Sequence, residues 1–74
     1  MKIRNTIKSI IQSENSFINE NDKVKDVLDM VDLLEIVIQI QEKYNISINH
    51  DSKEIAEANK ISDLIGNIEK QINK

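Results

Sequence analysis

Residues 29–44 read Asp29-Met30-Val31-Asp32-Leu33-Leu34-Glu35-Ile36-Val37-Ile38-Gln39-Ile40-Gln41-Glu42-Lys43-Tyr44, and their spacing decides the fold class. Leu33, Ile36, Val37, Ile40 and Tyr44 recur at three and four residues, the period of one helix face. A strand over Ile36–Ile40 is the competing reading for so β-branched a run, but the helical period holds from Asp29 to Tyr44. Asp29 is a good N-cap, since its short carboxylate can accept an unpaired N–H of the first turn. Asp32 lies within that turn, where the helix dipole favours negative charge. Met30, Val31, Leu34 and Ile38 widen the apolar surface well beyond one face. A helix of that kind is either central to its domain or has a second client face. Asp29, Asp32 and Glu35 recur every three residues and line an acidic ridge beside it.

Outward from this helix, the flanks are helical too. Ile3, Ile7, Ile10 and Ile11 form one stripe, which predicts a first helix from Lys2 to about Glu14. Ser13, Asn15 and Ser16 favour leaving it. Residues 15–29 are the longest irregular stretch, and Phe17, Ile18, Val24, Val27 and Leu28 are expected to pin it to the core. After a turn-rich Asn45–His50, with Ile46 and Ile48 facing inward, Asp51 and Glu54 are spaced like a capping box. A short helix over Ser52–Glu57, anchored by Ile55, should follow. Asn59 is the expected cap of a last helix carrying Ile61, Leu64, Ile65, Ile68 and Ile72. Gly66 inside it is either a modest cost or a close helix contact. The expectation is an all-α, four-helix bundle of three longer helices and one short helix, with a long first loop. It forms one domain over residues 1–74.

Composition agrees. With one glycine and no proline, the chain lacks the turn residues of an all-β fold. Fifteen isoleucines against one Phe and one Tyr make the core aliphatic. No apolar run approaches a membrane span. Met1–Gln12 lacks the apolar stretch of a signal peptide, and there is no cysteine. Together these predict a cytoplasmic protein, with no membrane partner.

Charge narrows the function. The net charge is −3, and the acids concentrate in residues 26–57, where eight face two lysines. That disfavours nucleic acid, which needs a basic face. It suits protein partners that present Lys and Arg, although a merely solvated face reads the same way. His50 is the sole histidine. Without cysteine, zinc or histidine-centred catalysis has no ligand set, and a loop histidine beside Asp51 is usually just solvated. Gly66 alone cannot build a phosphate loop. Asp26, Asp29 and Asp32 lack the spacing and glycine of an EF-hand. No metal site and no enzyme are expected.

The segment Asp29-Met30-Val31-Asp32-Leu33-Leu34-Glu35-Ile36 resembles the acyl carrier protein signature Asp-Ser-Leu-Asp-x-x-Glu-Leu. The likeness runs on to Ile48 and is preceded by a similar Asp26-Val27-Leu28. A register shifted to Asp26 would put Val27 at the serine position and misplace Tyr44 and Ile48. The resemblance implies a carrier of acyl or aminoacyl intermediates on 4′-phosphopantetheine, with biosynthetic enzymes that bear basic docking patches as partners, and a monomeric state. It implies partner contacts by Asp29, Val31, Asp32, Glu35 and Glu42. It makes Leu33, Ile36, Ile40 and Tyr44 candidates for an interior that shelters an acyl chain, while plain core is the simpler reading of those four. The family's cofactor serine is Met30 here. A thioether has no hydroxyl for the phosphodiester, so the cofactor is expected to be absent. Three accounts of Met30 stay open: a serine replaced by design, a natural carrier that lost its cofactor, or a likeness of architecture alone. A separate reading is a cofactor-independent protein-interaction module built on the acidic second helix.

Overall fold

A computed structural model describes residues 3–73. It contains α1 (Ile3–Glu14), α2 (Val24–Val27), α3 (Met30–Tyr44), α4 (Lys53–Ala56) and α5 (Ile61–Ile72). The all-α expectation holds: no strand forms among the described residues, and the sole β feature is an antiparallel bridge between Lys23 and Lys60. The expected helical start at Lys2 lies outside the described residues. No described helix is long and apolar enough to cross a membrane.

The aliphatic stripes do what their periods predict. Ile7 and Ile11 of α1, Ile36, Val37 and Ile40 of α3, Ile55 of α4, and Ile61, Leu64, Ile65 and Ile68 of α5 are fully or almost fully buried in one cluster. Burial of this kind contributes roughly 1.5–3 kcal/mol per large aliphatic side chain. It overrides the weak helix propensity of isoleucine and valine in α3, so the competing strand does not form. α1 packs on both α3 and α5, and α4 on α5.

The first connection is more ordered than its polar sequence suggests. Asn15 starts a turn, its Oδ1 accepting from Phe17 N at 3.0 Å and its carbonyl from Ile18 N at 3.1 Å. The turn sends neighbouring side chains opposite ways: Ile18 is buried, while Phe17 is 90% exposed. Phe17 therefore does not pin the loop, contrary to expectation, whereas Ile18, Val24 and Leu28 do. Glu20 is clasped by Arg4 at 2.8 Å and Lys8 at 3.2 Å. One helical turn, α2, forms inside the stretch expected to be irregular. Backbone bonds then tie the connection to the start of α5: Val24 N to Asn59 O at 2.9 Å, Ile61 N to Asp22 O at 2.9 Å, and Ser62 N to Glu20 O at 3.0 Å.

Two expected caps are displaced, and both have a local cause. Asn59 gives its carbonyl to Val24, so the cap position of α5 falls on Lys60, whose N–H donates to Asp63 Oδ2 at 3.2 Å. Asp51 is drawn into the preceding turn, its N–H on Asn49 Oδ1 at 3.0 Å and its carboxylate 3.4 Å from His50 Nε2. Ser52 becomes the cap position of α4 without a side-chain cap bond, and its Oγ is buried without a partner. At Gly66, a Cβ would meet nothing within 4 Å, so the close-contact reading of that glycine is wrong.

Candidate functional site

The start of α3 is held by reciprocal hydrogen bonds. Asp32 N donates to Asp29 Oδ1 at 2.8 Å, and Asp29 N donates to Asp32 Oδ2 at 3.3 Å. Two otherwise orphaned N–H groups are thereby satisfied, and the expected Asp29 cap is in place. The far end closes at Asn45, a left-handed residue at φ 52°, with Ile46 N on Gln41 O at 3.2 Å. Gln41 Oε1 also accepts from Ile48 N at 2.7 Å. Both ends of α3 are thus fixed, and its outward face is presented on a rigid element.

That face is apolar. Met30 is 82% exposed, Val31 62%, Ile38 41% and Leu34 37%. Singly exposed aliphatics need no explanation, but four on adjacent turns of one helix form a patch of the kind that marks an interaction site. The inward face holds Ile36 and Ile40 at the centre of the core, with Leu33 and Tyr44 half-buried against it. Of the four candidates for an acyl-sheltering interior, Ile36 and Ile40 lie in the core, while Leu33 and Tyr44 pack against it and Leu33 also lines an apolar cleft.

Met30 also lines an apolar cleft of about 230 Å³ with Val24, Leu28, Leu33, Leu34 and Ala56. Lys25, Asp29, His50 and Asp51 stand around it. Sequence spacing did not reveal Lys25 and His50 as neighbours of Met30, because only the folded connections bring them there.

The acids divide into two groups. Glu35 and Asp32 lie with Glu14, from the end of α1, so that one carboxylate oxygen of each falls within 4.8 Å of the others. Asp29 caps the helix, and Glu42 is exposed near its end. Glu14 was no part of the sequence pattern, since it comes from another helix. Its Oε1 accepts from Gln39 Nε2 at 3.4 Å. Desolvation, then the charge of Glu35, its hydrogen bond with that carboxyl, and the charge of Asp32 raise the Glu14 carboxyl above its ordinary range, opposed by Gln39.

The chemistry of position 30 does not fit 4′-phosphopantetheine. Attachment needs a hydroxyl, and Met30 carries a thioether. The chain's serines, Ser9, Ser13, Ser16, Ser47, Ser52 and Ser62, all lie outside α3. No protein-family model, curated protein or solved structure matches the chain.

Proposed function

We propose that this chain is an acyl-carrier-like domain that has the docking helix of a carrier but cannot be charged at position 30. The observation that carries the reading is Met30 itself. It is the first residue of a firmly capped helix and highly exposed, where the resembled signature has its serine. In this reading the architecture is a four-helix bundle of α1, α3, α4 and α5, with α2 part of the long first connection. The domain acts in the cytoplasm as a monomer, is not itself an enzyme, and meets biosynthetic enzymes through their basic patches. Asp29, Val31, Asp32, Glu35 and Glu42 supply the contacts. Acids at such a rim mostly set association rate and salt sensitivity.

The test is mass spectrometry after incubation with coenzyme A and a phosphopantetheinyl transferase. The chain as written should gain no mass, and Met30→Ser should gain one cofactor. An unmodified Met30→Ser, still folded by circular dichroism, would leave only a likeness of architecture.

The exposed apolar row of α3 also favours a second reading, a cofactor-independent interaction module. Affinity capture separates the two. Salt-sensitive recovery of acyltransferases or synthases supports the carrier descendant, and recovery of unrelated proteins supports the module.

A further inference from the structure

We infer that Met30 is a reversible oxidation site, a thioether that hydroperoxides convert to the sulfoxide, and that the change turns an apolar surface polar without loosening the fold. The chain has two methionines and no cysteine, so Met30 carries the only sulfur among the described residues. A peroxide that reaches this surface meets one soft nucleophile. Met30 is 82% exposed, and a thioether is oxidised where an oxidant can reach it.

The step needs no other side chain. A lone pair of Sδ attacks one oxygen of the hydroperoxide, and the S–O bond forms as the O–O bond breaks. The leaving oxygen keeps or takes up the proton and departs as an alcohol or, from hydrogen peroxide, as water. Sulfur is oxidised and the peroxide reduced by the same electron pair. A sulfoxide reductase returns the thioether at the expense of a dithiol, which becomes a disulfide while the oxygen leaves as water.

Position decides what the added oxygen does. Met30 belongs to two apolar surfaces at once: the outer row with Val31, Leu34 and Ile38, and the cleft with Leu28, Leu33 and Ala56. A sulfoxide oxygen must be hydrated or hydrogen-bonded, so it disfavours any cover that dries either surface. The valine, leucine and isoleucine in the rest of the row have no such second state. The fold does not feel the change. Met30 lies outside the buried cluster, and the side-chain bonds that hold the start of α3 run between Asp29 and Asp32. The inference is independent of the carrier reading, whose test removes the thioether.

The test uses the full chain and hydrogen peroxide. Peptide mapping by mass spectrometry should place one oxygen on Met30, at a rate within about twofold of that in the urea-unfolded chain, because nothing in the fold shields the sulfur. The oxidised chain should elute earlier from a hydrophobic-interaction column and keep the denaturant midpoint of the reduced chain. It should regain its original retention once both epimer-specific sulfoxide reductases have acted. Met30→Leu, treated in the same way, should not change its retention, which separates Met30 from Met1. Clearly slower oxidation in the folded chain, an unchanged retention, a lowered midpoint, failure of the reductases, or an equal retention change in Met30→Leu would overturn the inference.

Discussion

α5 and α3 are both isoleucine-rich helices with a clear apolar stripe, yet they use it differently. α5 places Ile61, Leu64, Ile65 and Ile68 wholly inside and has no large hydrophobic residue among the exposed ones. α3 buries Ile36, Val37 and Ile40 and still leaves Met30, Val31, Leu34 and Ile38 outside. The core is closed by the first set, so the second is surplus to folding. Apolar content that the fold does not consume is where a binding role is best sought.

The sharpest way to break this contrast is to truncate one residue from each set. Ile65→Ala should cost about 2–5 kcal/mol in denaturant unfolding, because it leaves a cavity in a closed core. Ile38→Ala, at an exposed site on α3, belongs at the other end of the scale, within about 0.5 kcal/mol of the parent. Similar losses at both positions would mean that the outer row of α3 is structural after all. Between these extremes, Asp29→Ala should cost about 1 kcal/mol by removing the cap of α3. Gly66→Ala should instead stabilise α5 by roughly 0.5–1 kcal/mol, since a helix-interior glycine is replaced where nothing obstructs a methyl group. The smallest effect is proton-linked. The folded chain holds a proton on Glu14 at higher pH than the unfolded chain does, so this group favours folding as pH falls into the range between the two values and loses that contribution as pH rises through the folded one. Unfolding curves of Glu14→Gln should lack that part of the pH dependence.

The three long helices were legible in the sequence because each carries its own period, and burial of that period is a local signal. So was the cap at Asp29, whose partner is three residues away. What was not legible depended on distant segments. Asn59 has the chemistry of a cap, but its carbonyl serves Val24. Phe17 looked like an anchor, but the Asn15 turn directs it outward. Glu14 joins the acids of α3 only because α1 packs against that helix. The half of the candidate site that lies on α3 could be read from spacing, while Glu14, Lys25 and His50 required the fold.

The backbone tie between the first connection and the start of α5 bears on the order of assembly. A chain made from its N-terminus exposes α1, the connection and α3 before residues 59–62 exist. Until then the N–H of Val24 and the carbonyls of Glu20 and Asp22 lack the partners they have in the folded domain. Small domains fold as units, and here the last helix completes the hydrogen bonding of the first loop. A nascent chain stalled before Asn59 should therefore leave residues 20–24 open to protease, even where α1 and α3 already touch.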